Sequence, residues 1–100
     1  MKTGQVLIGL LFGLLLLSCG KDPVADFTWA PVEPKAGEEV KFTNLSTDAK
    51  SYSWNFGDMS IGDKTNPTHV YARKGNYIID LRAYNGIKSD EKTVTINVIE

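Results

Sequence analysis

From Phe27 onward the chain alternates between apolar and polar residues. Phe27 and Trp29 alternate with Asp26 and Thr28. Val40 and Phe42 alternate with Glu39, Lys41 and Thr43, and Tyr52, Trp54 and Phe56 with Ser51, Ser53 and Asn55. Tyr77, Ile79, Leu81 and Ala83 share one parity, as do Val94, Ile96 and Val98. A period of two in short β-branched or aromatic runs is the pattern of strands with one buried face. Turn-rich segments separate the runs: residues 30–38 (APVEPKAGE), 46–51 (STDAKS), 57–67 (GDMSIGDKTNP), 73–76 (RKGN) and 85–91 (NGIKSDE). No run after residue 20 keeps a helical period. Six or seven antiparallel strands in about 78 residues predict an all-β fold of two packed sheets, with 57–67 as one long connection.

The first residues follow a different rule. Lys2 precedes an uncharged apolar run, residues 6–17 (VLIGLLFGLLLL). Twelve helical residues reach roughly 18 Å, short of the ~20 residues that span a bilayer core. An apolar run of that length behind a positive charge fits a secretory signal better than an anchor. The sole cysteine, Cys19, follows at once in LLSCG, after the small residue Ser18 and three positions after Leu16. This resembles the lipobox of bacterial lipoproteins, with Leu17 a small departure from the usual residue. The resemblance implies cleavage before Cys19 and acylation of its thiol and new N-terminus. The expected organisation is a signal peptide over 1–18, a lipidated Cys19 with a short polar tether over 19–22, and a sandwich over 23–100. Lipidation makes the membrane a partner and places the protein in the bacterial envelope, on the outer membrane and, if Lys21-Asp22 acts as an export signal, at the cell surface. Without it, an ordinary secretory signal would leave a free thiol in an exported protein, which invites oxidation.

Removing residues 1–18 leaves ten Lys and Arg against twelve Asp and Glu, a formal charge of −2, with both signs interspersed. No basic stripe tracks a phosphate backbone, so nucleic acid is excluded as a partner. One cysteine permits no intrachain disulfide, and packing alone must hold a small core.

Three ordered segments carry a second resemblance: YSWNFGD (52–58), NPTHVY (66–71) and GNYIIDLRAYN (75–85). Together they resemble the PKD (polycystic kidney disease) repeat, an immunoglobulin-like antiparallel β-sandwich of about seven strands. The signature positions are Trp54, Asn55, Phe56, Gly57, Asp58, Pro67, His69, Tyr71, Gly75 and Tyr77. Two positions depart from the family pattern: Asn55 stands where Asp is usual, and Met59 where a second Gly is usual. If that Gly has φ > 0, Met59 is strained by ~1–2 kcal/mol or the turn is remodelled.

The chemistry-bearing residues read as architecture. Asp58, beside Gly57 at a strand end, is expected to accept backbone N–H groups in an Asx-type turn rather than act as a general acid. Some relatives of this fold bind calcium, but Asp58 and Asp63 match no EF-hand spacing. No cofactor is expected, with calcium at Asp58 and Asp63 kept as the minor alternative. His69 is the only histidine, too few for a zinc site, and no nucleophile–base set stands out, so the protein is read as non-enzymatic. Trp29, Tyr52, Trp54, Phe56, Tyr71 and Tyr77 fall mostly on core parity, and Tyr77 is placed to bond back to the chain as a tyrosine corner. Ile78, Asp80, Arg82 and Tyr84 take the opposite parity and form the candidate binding face. Asn44-Leu45-Ser46 fits a glycosylation sequon but is given no role in a bacterial lipoprotein. The resemblance implies protein or carbohydrate contact at the cell surface. The other reading is a structural spacer or assembly subunit with no ligand of its own.

Overall fold

The computed structural model describes residues 20–100. The expected signal peptide and Cys19 lie outside the described residues. Seven strands form in chain order: β1 Phe27–Ala30, β2 Glu39–Asn44, β3 Ser51–Asn55, β4 Ile61–Gly62, β5 Thr68–Val70, β6 Gly75–Asn85 and β7 Lys88–Val98. They make two antiparallel sheets, ordered β1-β2-β5 and β4-β3-β6-β7. The fold is an immunoglobulin-like sandwich.

The alternating pattern sets which face each strand buries. Trp54 lies at the centre, fully buried, with its ring 5.0 Å from Phe27, 5.4 Å from Phe42 and 6.1 Å from Phe56. Phe27 and Phe42 come from one sheet and Trp54 from the other, so the aromatic cluster joins the two layers. Ile79, Leu81, Ala83, Ile96 and Val98 complete the core. The Trp54 Nε1–H donates to the Lys64 carbonyl at 2.8 Å, which satisfies its one polar atom inside the core.

The ladder of β6 and β7 runs unbroken from Gly75–Val98 to Asn85–Lys88. Gly86 and Ile87 close it as a two-residue turn, with Gly86 at φ 65 in the first central position. Asp90 and Lys92 have the same parity as Val94 and Ile96, yet they do not enter the core. β7 is an edge strand, and its first half meets the segment before β1. There the Asp90 carboxylate accepts the Ala25 N–H at 2.8 Å, and Lys92 Nζ donates to Asp26 at 3.0 Å. Charges at these positions also keep the edge from pairing with another chain.

Two expectations need correction. The connection over 57–67 is not wholly irregular, because Ile61 and Gly62 pair with Asn55 and Trp54 as β4. Two residues show no period, so the strand exists only because β3 offers an open edge. The turn-rich segment over 85–91, moreover, is a turn only at Gly86 and Ile87, because Lys88 onward pairs with β6. Residues 20–22 make surface contacts with this hairpin. The Asn85 side chain donates to the Lys21 carbonyl at 3.0 Å. Lys88 Nζ donates to the Gly20 carbonyl at 3.1 Å and pairs with Asp22 at 3.0 Å. Val24 then bridges to Thr47. Among the described residues no helix is long and apolar enough to cross a membrane.

Candidate functional site

The turn between β3 and β4 is built by two short side chains. Asn55 Oδ1 accepts the Gly57 N–H at 3.0 Å, and Asp58 Oδ1 accepts the Ser60 N–H at 3.2 Å. The Phe56 N–H closes the loop onto the Ser60 carbonyl at 3.0 Å. Asn55 keeps the acceptor that an Asp there would supply, so this departure is geometrically mild. Gly57 sits at φ 85, and a Cβ on it would lie 2.5 Å from the Ile78 carbonyl oxygen. Met59 sits at φ 74 with its side chain fully exposed, at 100%. The turn therefore keeps the left-handed geometry and Met59 carries its strain.

The second Asp58 oxygen reaches across the sandwich. Asp58 Oδ2 lies 2.7 Å from His69 Nε2, joining the turn to β5 of the other sheet. The His69 ring stacks on Phe56 at 4.4 Å and 7°, and meets the edge of Tyr71 at 4.7 Å. The buried Tyr71 hydroxyl donates to the Phe56 carbonyl at 2.8 Å. Tyr77 packs on Tyr71 at 4.4 Å, and its hydroxyl donates to the Arg73 carbonyl at 2.7 Å, a tyrosine corner. Asp58, Phe56, His69, Tyr71 and Tyr77 thus form one connected brace between the sheets.

Charges follow from this geometry. Partial burial pushes the Asp58 carboxyl up. The hydrogen bond and charge of His69, with the Ser60 donors, outweigh it and hold the group below the usual carboxylate range. Burial, then the charge of Asp58 and the neighbouring Tyr77, raise the Tyr71 phenol far above its ordinary value, so it stays a donor. Among the described residues no hydrogen bond joins His69 to Ser, Thr or Cys, and no group of three or more His, Cys, Asp or Glu could hold a metal ion. Both Asp58 oxygens are engaged, by Ser60 and by His69, and Asp63 is exposed. This arrangement can transmit packing between the sheets; it contains no nucleophile or metal site.

Two surfaces remain. An open groove of ≈ 350 Å³ lies between the edges of β4 and β5, lined by Phe56, Ser60, Ile61, Lys64, Pro67 and His69 among others. The second surface is the outer face of the four-stranded sheet, which holds Ile78, Asp80, Arg82 and Tyr84 on β6. Ile78 is exposed; the other three are half-buried. Register sets Ser53, Arg82 and Glu91 in one row and Asn55, Asp80 and Thr93 in the next. Arg82 pairs with Glu91 at 3.2 Å, and Asp80 accepts the Thr93 hydroxyl at 3.1 Å. The hydrogen bond and charge of nearby Asp80 hold the Glu91 carboxyl above its ordinary range, against the pull of Arg82. In the sequon, the Asn44 side-chain nitrogen is buried.

Sequence reasoning treated Asp58 and His69 separately and missed both their pairing and the groove. Asp58 lies in a turn and His69 on a strand, so no shared period links them, and the contact appears only once the two sheets pack.

Comparison with known proteins agrees with this architecture. The family profile of the PKD domain matches residues 20–99. A collagenase of Bacillus cereus, ColA, is 37% identical over 70 residues, covering 63% of this chain and 7% of the enzyme. Mouse polycystin-1-like protein 1 is 38% identical over 47 residues, covering 46% of this chain and 2% of that protein. The chain thus spans less than a tenth of the length of these curated relatives. Among solved structures, one from work on carbohydrate-binding modules of the β-sandwich superfamily superposes with a TM-score of 0.76 at 32% identity, over 80% of this chain and 35% of that one. The first PKD domain of the Vibrio cholerae metalloprotease PrtV gives 0.67 at 29% identity, over 80% of this chain and all (100%) of that domain.

Proposed function

Because the chain belongs to the PKD domain family, we propose that it is a non-catalytic, lipid-anchored protein of the bacterial envelope whose sandwich makes binding contacts at the cell surface. Cys19 is the attachment point, after removal of residues 1–18. The observation that carries the binding reading is the outer face of β6, where exposed Ile78 adjoins half-buried Asp80, Arg82 and Tyr84. The likeness to carbohydrate-binding modules and to a protease-associated PKD domain supports a binding role. Fold alone assigns no ligand. Every described aromatic side chain is buried or half-buried. Tyr84 on this face is one of the half-buried rings, so the proposed partner is a protein or a glycan.

The spacer reading has its own support. Arg82 and Asp80 are already satisfied by Glu91 and Thr93, as on a solvated sheet face. A pull-down of the acylated protein from its own envelope, repeated with an Arg82→Ala, Tyr84→Ala double variant, separates the two. A binder recovers a partner that the variant loses. A spacer recovers the same proteins with both. Palmitate labelling of the intact protein tests the anchor: labelling should vanish in Cys19→Ser, and unchanged labelling would refute it.

A further inference from the structure

The end of the molecule that holds Gly20 is built of three segments. They are the docked residues 20–22, the β2–β3 loop over residues 45–50, and the β6–β7 turn at Gly86 and Ile87. The loop is tied in by the Lys50 N–H, which donates to the Tyr84 carbonyl at 2.7 Å. The turn holds the first described residue in place, because Lys88 Nζ grips the Gly20 carbonyl and Asn85 grips that of Lys21. One peptide bond therefore separates Cys19 from a backbone fixed to the hairpin tip.

Ile87 is the odd residue at this end. It is fully exposed, at 102%, at the tip of a tight turn, and its packing gives the fold nothing. The left-handed position belongs to Gly86, so the turn geometry does not call for isoleucine. Val24 and Leu45, also at this end, are about half exposed at 52% and 49%. Lys21 and Lys50 are exposed cations beside them, while Asp48 opposes them and Asp22 is already paired with Lys88.

We propose that this end is a lipid-contacting surface, with Ile87 entering the bilayer interface beside the acyl chains on Cys19. The inference rests on the lipidation proposed above. The contacts of residues 20–22 favour a position of the chain just after Cys19 against the hairpin tip, so acyl chains on Cys19 bring Ile87 toward the interface. An apolar side chain gains from leaving water there. The opposite end of the hairpin, at Gly75 and Val98, then points outward, ~35 Å away for eleven strand residues. The anchored domain has a preferred orientation, and the outer sheet face stands beside the membrane rather than against it.

The test uses the full acylated protein in vesicles of phosphatidylethanolamine and phosphatidylglycerol. An environment-sensitive dye is placed on Ile87→Cys or, as the distal control, on Lys74→Cys. In the acylated protein the Cys19 thiol is a thioether, so only the new cysteine reacts. The expected result is blue-shifted emission at position 87 that quenchers on the lipid tails extinguish, with water-like, unquenched emission at position 74. Water-like emission at both positions, in protein that floats with the vesicles and carries acyl mass on Cys19, overturns the proposal and leaves the lipid anchor standing. Unmodified Cys19 in protein that does not float overturns both.

Discussion

Met59 occupies a backbone conformation that costs a non-glycine residue ~1–2 kcal/mol, and its side chain touches nothing in return. Replacing it with glycine removes that strain but adds chain entropy to the unfolded state, at ~0.5–1 kcal/mol. Met59→Gly is expected to leave stability unchanged or raise it by up to ~1.5 kcal/mol, read from urea midpoints. A lower midpoint would mean that Met59 makes a contact in the folded protein. Gly57 is the opposite case. Its φ of 85 and the 2.5 Å approach to the Ile78 carbonyl leave no room for a methyl group. Gly57→Ala should cost at least ~2 kcal/mol and push the turn off β6. Both glycine positions could be read from the sequence motif. That one of them tolerates methionine depends on open solvent at that point, which no local pattern records.

The elements differ in how far the chain alone announces them. β1, β2, β3 and β6 carry a period of two long enough to read, and so does β7 from Val94 on, whereas Lys88–Glu91 reads as turn and is strand only through pairing with β6. β4 is two residues, and tertiary pairing creates it. Asp58 sits in the β3–β4 turn and His69 on β5 of the other sheet, and their contact appears only when the two sheets pack together. This brace has a pH signature. The Asp58 carboxyl titrates lower in the folded chain than in the unfolded one. Its contribution is therefore complete above the ordinary carboxylate value of ~4 and lost as pH falls below that value and through the lowered one. Denaturation midpoints should fall below pH ~4 in the native protein. They should fall less steeply in Asp58→Asn, which already lacks the contribution at neutral pH. Parallel curves would show that the His69 contact adds nothing. Tyr71→Phe leaves the Phe56 carbonyl without its donor in a buried place and should cost ~1–2 kcal/mol. An unchanged melting temperature would show that water or another donor replaces the hydroxyl.

For the whole molecule, every buried apolar residue of the described core lies between Ala25 and Val98. A chain beginning at Gly20 should therefore fold cooperatively without residues 1–19, with Trp54 shielded from aqueous quenchers until the transition. Loss of that transition would mean that the first nineteen residues supply part of the core. Alternation in the sequence by itself determined the fold class, the core faces and the turn chemistry. These depend on side-chain parity and on backbone preferences local to a few residues. Three things came from the tertiary structure alone: the docking of residues 20–22, the brace between sheets, and the neighbours of Ile87. Each joins segments whose spacing along the chain carries no periodic signal, such as Lys88 with Gly20 across 68 positions. Such contacts form because the two sheets close on Trp54 and bring distant ends together, and no shorter stretch contains that event.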